Sequence, residues 1–256
     1  MVNKKRAEIQ AFFNENSNSE IVKKYSRYFK KGFDGYGIKT KTFEQQRDIW
    51  IEEWKDEMTL DTYLDLGDIL MKEGKYEEKS LAIVFVQYER NNYTSETFDR
   101  IGKWFEMGVT NWATTDVLCM LVLSSFIKDE VISYEKLKEW TLSESQWQRR
   151  AVPVTLVELL KEGLKPETTL PIIEPIMLDD SENVQKGIGT LLRGLWKKYP
   201  KKIESFLLQW KNQCGRLIIQ YAIKKMDKEY RKQFRKEKNC FINSNITNPG
   251  NMVDSN

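Results

Sequence analysis

The sequence predicts an all-α protein, an α-solenoid of paired antiparallel helices. Three observations predict it. Apolar residues recur at three- and four-residue spacing through most of the chain, as in Ile9, Phe12 and Phe13 or Leu81, Val84, Phe85 and Tyr88, the period that keeps side chains on one helical face. Helical segments of roughly 12 to 18 residues are joined by short turns rather than long loops. Alternating strand patterns bounded by hairpin signals are missing, as are a GxGxxG fingerprint and a phosphate-binding loop, so neither a Rossmann nor a P-loop architecture is supported.

In chain order, the elements mark their own boundaries. The basic start MVNKKRAEIQ leads into the first amphipathic segment, and Ser19 is read as the cap of EIVKKYSRYF. Turns follow at DGYG (34 to 37) and EGK (73 to 75), and Ser95 is read as the cap of ETFDRIGKWF. The longest apolar run, from Val117 to Ile127, is interrupted by Ser124 and Ser125 and is too short to cross a bilayer. Pro153 inside WQRRAVPVTLVELL is expected to kink that helix or to mark a late start. Further turns stand at LKP (164 to 166) and KYP (198 to 200), and no strict repeat is visible, so any repeats are degenerate.

One helix is unusually legible. In SENVQKGIGTLLRGLWKKYP, Ser181 is the cap and Val184, Ile188, Leu191, Leu192 and Leu195 form the buried stripe. Lys186, Thr190, Arg193 and Lys197 form the opposite ridge. Gly187, Gly189 and Gly194 each cost about 1 kcal/mol of helix stability against alanine, which implies that a neighbouring helix or a ligand packs closely there.

Of the 256 residues, 40% are hydrophobic and 31% charged, a globular composition. It is read as one helical-repeat domain over residues 1–238 and a polar, Asn-rich, flexible tail over 239–256. Three cysteines, Cys119, Cys214 and Cys240, are far apart and odd in number, so neither a disulfide framework nor a metal knuckle is expected. The chain contains no histidine. That removes Ser-His and Cys-His nucleophile pairs and the commonest general base, leaving carboxylates, aromatics, arginines and backbone for any chemistry.

Net charge is +3, but it is unevenly distributed. Glu44 to Ser80 holds twelve acids and five bases, Val184 to Lys202 six bases and no acid, and Lys211 to Lys238 ten bases and three acids. With KKR and VKKYSRYFKK near the start, the pattern favours a polyanion-binding face. In VTNWATTDVL, Trp112 and Asp116 stand four residues apart, which puts both on one face of a helix.

The stretches YSRYFKKGFDGYGIKTKTFEQQR (25 to 47), NWATTD (111 to 116), SQWQRRAV (145 to 152) and VQKGIGTLLRGL (184 to 195), in that order and approximate spacing, resemble the DNA alkylation repair family of HEAT-like repeat DNA glycosylases, the AlkD-like enzymes. The resemblance extends to about Arg235. It implies a right-handed α-solenoid of HEAT-like repeats whose basic concave face cradles duplex DNA, and release of cationic alkylpurines of the 3-methyladenine and 7-methylguanine type.

An N-alkylated purine already carries positive charge, so it leaves without a general acid; the barrier lies in the oxocarbenium-like sugar. A carboxylate and the face of an indole both stabilise such a cation. By the resemblance these are Asp116 and Trp112, Asp116 also positioning the attacking water. Arg150 matches an arginine that holds phosphate near the lesion, with its neighbour Arg149 as a contrast. Tyr28 matches an aromatic near the damaged base, and Lys186 and Arg193, on the same ridge as Lys197, contact the DNA backbone. The family's active members carry a second tryptophan where this chain has Thr190, which supplies neither π face nor bulk.

A monofunctional glycosylase acting on double-stranded DNA, alkylated or distorted, is therefore the leading expectation. It needs no cofactor or metal, works as a monomer in the bacterial cytoplasm near the nucleoid, and has no membrane association. The alternatives are a catalytically silent relative that binds branched or distorted DNA, favoured by Thr190, and a helical scaffold for an acidic protein.

Overall fold

A computed structural model describes residues 1–29 and 32–237. The first helices are α1 (Val2–Glu15), α2 (Ser19–Ser26), α3 (Thr40–Trp54), α4 (Leu60–Glu73), α5 (Tyr76–Tyr88), α6 (Ser95–Gly102) and α7 (Trp104–Met107). Then come α8 (Trp112–Leu118), a π-helical turn (Cys119–Leu123), α9 (Ser124–Lys128), α10 (Tyr134–Lys138) and α11 (Gln146–Glu158). Beyond them lie α12 (Pro166–Ile173), α13 (Glu182–Trp196), α14 (Pro200–Trp210) and α15 (Arg216–Ala222). Among the described residues there is no strand. The turns at EGK, LKP and KYP separate helices as their sequences require, with Pro166 and Pro200 in the first turns of α12 and α14, where a missing N–H costs nothing.

The helices stack in series. α5 packs on α8, α8 on α11, α11 on α13 and α13 on α15, while α4, α7 and α14 back this row. Each layer buries its apolar stripe on the next, which is the construction of a solenoid. One hydrophobic cluster runs from Ile9 to Phe234 and includes Trp50, Trp54 and Trp104. All five stripe residues of α13 are fully buried, each burial worth about 1.5–3 kcal/mol.

Several local expectations shift. The cap of α2 is Asn18, whose side chain accepts from the backbone N–H of Glu20 and Ile21, and that of α6 is Thr94, paired with Thr97 in a capping box. In both cases the residue before the expected serine reaches the free amides. The ETFDRIGKWF segment is broken after Gly102 rather than continuous. α11 starts seven residues before Pro153, so the proline marks no late start and is carried inside the helix. Several helices, α2, α6, α8, α12 and α15 among them, are shorter than 12 residues. The tail 239–256, with Cys240, lies outside the described residues, as do Lys30 and Lys31.

The glycines of α13 answer to neighbouring helices. A Cβ on Gly189 would lie 2.5 Å from Tyr221 Cβ and 2.6 Å from the Ile218 carbonyl on α15, and one on Gly187 would lie 3.2 Å from Pro153 on α11. Gly189→Ala gains about 1 kcal/mol in helix propensity but forces two backbones apart, a strain of about 1–3 kcal/mol. The net result is a lowered urea midpoint; an unchanged or raised midpoint would show that α13 and α15 are not in contact.

Burial also silences two thiols. Cys119 is fully buried and its thiol is pushed far up by desolvation; Cys214 is half-buried, and desolvation raises it to about 11. Because the thiolate is the reacting species, both are expected to label with iodoacetamide at pH 7.5 only after denaturation, as read by peptide mass spectrometry. Fast native labelling of either would contradict this packing.

Candidate functional site

The site is built from the loop before α3, the start of α8 and the cleft-lining sides of α11, α13 and α15. The buried carboxylate of Glu77 on α5 accepts hydrogen bonds from the backbone N–H of Tyr36 (2.8 Å), Gly37 (2.8 Å) and Ile38 (3.2 Å). The carbonyl of Asp34 accepts from Tyr76 N–H at 2.8 Å. These bonds clasp the loop onto α5 and bring the C-terminal end of α2, with Tyr28 and Phe29, over α8.

α8 begins because the Asn111 side chain accepts the Thr114 N–H at 2.9 Å, a cap that satisfies an otherwise orphaned donor. Trp112 is therefore the first helical residue and remains 41% exposed. Its indole N–H donates to the Tyr28 carbonyl (3.3 Å), and its ring lies against Phe29 at 5.9 Å and 19°.

Asp116, one turn further, is a third exposed and is gripped by Arg150 of α11. Arg150 Nε donates to Oδ1 at 2.9 Å and Nη2 to Oδ2 at 2.8 Å, a bidentate pair, while Nη1 donates to the Asn183 carbonyl at 2.6 Å. The guanidinium thus ties α8, α11 and the start of α13 together, and it fixes the plane of the carboxylate. Arg149 is engaged elsewhere, on Asp179 and on the carbonyls of Ser143 and Glu144.

A cleft of about 870 Å³ opens over these groups. It brings together Tyr28, Trp112, Asp116, Arg150, Lys186 and Thr190 from the sequence-predicted set. Arg193 and Lys197 are not in its lining: Arg193 is half-buried with Nη1 on the Tyr221 carbonyl, and Lys197 is exposed at the end of α13. Arg150, expected as a phosphate contact, has its side chain 10% exposed and is committed first to Asp116.

Sequence reasoning missed Phe29, Lys79, Trp147 and Tyr221 on the cleft walls. Trp147 carried a signal, standing three residues before Arg150 on the same helical face. Lys79 donates to the Gly108 carbonyl at 2.8 Å, and its burial lowers its pKa. Among the described residues the cleft's cations (Lys79, Arg150, Lys186) outnumber its carboxylates (Asp34, Asp116), and Arg150 already offsets Asp116. Among the described residues no group of three or more Cys, Asp or Glu converges as a metal site requires, and no helix is long and apolar enough to cross a membrane.

Stacked helices around an aromatic-lined cleft that holds the oriented carboxylate of Asp116 define a helical-repeat protein with a site across its packed helices. The family model described as DNA alkylation repair enzyme matches residues 9–226, and the chain belongs to that family. Its fold is shared by the structure of a predicted DNA alkylation repair enzyme from Enterococcus faecalis, with a TM-score of 0.71 at 18% identity, covering 83% of this chain and 98% of that one. The structure of AlkD2 from Streptococcus mutans is similar with a TM-score of 0.56 at 22% identity, covering 80% and 99%. No curated protein matches the chain.

Proposed function

We propose that this protein is a monofunctional DNA glycosylase that holds duplex DNA against the cleft and releases cationic alkylpurines, of the 3-methyladenine and 7-methylguanine type, by hydrolysis of the N-glycosidic bond. The observation that carries the reading is the cleft itself: an exposed indole and an oriented carboxylate one helical turn apart, in a wall with more cations than acids.

As the bond from C1′ to the purine nitrogen breaks, its electron pair neutralises the departing base and leaves positive charge on the sugar. Each oxygen of Asp116 spends one lone-pair direction on Arg150 and keeps another to face that charge or a water attacking C1′. The indole face of Trp112 not covered by Phe29 adds a cation–π contribution of about 0.5–2 kcal/mol. Arg150 acts chiefly by holding Asp116, and its two uncommitted N–H groups serve a phosphate at the rim. Lys186 and, outside the cleft, Arg193 and Lys197 continue a basic edge for the DNA backbone.

The test is incubation with methylated duplex DNA and chromatography of the released bases. Appearance of 3-methyladenine or 7-methylguanine above the protein-free rate is expected; no release would leave the second reading. In that reading the protein binds branched or distorted DNA without chemistry, and it is favoured by the small side chain of Thr190 on the cleft wall.

A further inference from the structure

The proposed chemistry occupies the α8 end of the cleft. The opposite wall, made by α13 and α15, contributes Asn183, Lys186, Thr190 and Tyr221 to the lining, and Tyr221 is the aromatic among them. Its position is fixed by packing. Gly189, without a side chain, lets α15 approach until the Tyr221 Cβ stands where a Cβ of residue 189 would be only 2.5 Å away, and the Tyr221 carbonyl accepts from Arg193 at 3.4 Å. The phenol oxygen, by contrast, makes no hydrogen bond among the described residues, and the residue is half-buried.

A phenol on a cleft wall, anchored through its backbone and with its hydroxyl uncommitted, can donate to a phosphate oxygen while its ring packs on the adjoining sugar. Lys186 lines the same cleft and supplies charge for the backbone. Lys186 pairs with Glu182 at 3.0 Å, but this is an i,i+4 pair whose acid is 58% exposed, a class of contact worth only a few tenths of a kcal/mol and readily exchanged for a phosphodiester.

We propose that Tyr221 and Lys186 form a second backbone-binding subsite, for a nucleic-acid phosphodiester, which holds the duplex on α13 and α15, beyond α11 from Asp116, and sets its register against Trp112. The inference rests on the DNA-directed reading above. Tyr221 is a positioning residue here, since it touches the backbone rather than the reacting atoms.

The test measures binding of a fluorescent duplex bearing a tetrahydrofuran abasic analogue across a salt series, for the full-length protein and for Tyr221→Phe, Tyr221→Ala and Lys186→Ala. Alanine keeps the Cβ that covers Gly189, and phenylalanine keeps the ring. Loss of the hydroxyl is expected to weaken binding about 3-fold and loss of the whole side chain about 10-fold, both with the wild-type salt slope. Lys186→Ala is expected to make the slope shallower by about one. A purely structural role for Tyr221 would spare the phenylalanine variant. Tyr221→Phe and Tyr221→Ala binding as tightly as wild type would overturn the subsite. Absence of duplex binding by the wild type would overturn it together with the DNA-directed reading, and the wild-type curve alone tells these two failures apart.

Discussion

Asp116→Asn is expected to slow release of 7-methylguanine about 100- to 1000-fold while leaving duplex affinity within a few fold. The substitution keeps the shape of the side chain but removes its charge, and groups that meet developing charge in a water-poor site are worth about 3–4 kcal/mol each. Binding survives because the phosphate-directed cations, Lys186 among them, are untouched. The amide also leaves Arg150, with its side chain 10% exposed, facing an NH2 group where an oxygen stood, so some stability is lost as well. Single-turnover assays well below the melting temperature separate the two effects. A mutant within about 3-fold of wild type would remove Asp116 from the chemistry.

The second large effect is structural. Arg150→Met deletes three hydrogen bonds that join α8, α11 and α13 and leaves the Asp116 carboxylate without its two guanidinium donors. Removing one partner of a fully buried pair costs about 3–5 kcal/mol. Because Asp116 is a third exposed and can recover water, about 2–3 kcal/mol is expected. For a domain of this size that lowers the melting temperature by roughly 4–12 °C. Arg150→Lys recovers little, since an ammonium cannot span both carboxylate oxygens and the carbonyl at once. Base release falls in both variants because the carboxylate loses its fixed plane. A melting temperature within about 1 °C of wild type would show that the guanidinium is not a structural tie.

How much of this was legible follows from the range of each signal. The stripe of α13, the shared face of Trp112 and Asp116 and the turns at EGK, LKP and KYP are written in local spacing, and local spacing survives folding. The caps moved by one residue because Asn18 and Ser19, or Thr94 and Ser95, are both capable acceptors, and only backbone direction decides which one reaches the free amides. The clasp of Glu77 on the loop at 36 to 38 joins residues about 40 apart in sequence, and the grip of Arg150 on Asp116 joins residues 34 apart. Neither has a periodic trace. Arg150 therefore reads in sequence as a free cation, whereas folding gives it a carboxylate first. The glycines of α13 announced a close neighbour without saying which; the neighbours are α11 and α15, and the second of these carries Tyr221 to the cleft.

The most direct test is the single-turnover release rate of 7-methylguanine and of hypoxanthine from otherwise identical duplexes, measured from pH 5.5 to pH 6.5, where the N1–H of the methylated base is retained and the base stays cationic. Stabilising a sugar cation with a carboxylate and an indole, and with no acid to protonate the leaving group, predicts release of the cationic base at a rate that is flat in pH and no release of the neutral one. Comparable release of hypoxanthine, or a 7-methylguanine rate that falls as an acidic group titrates, would contradict it.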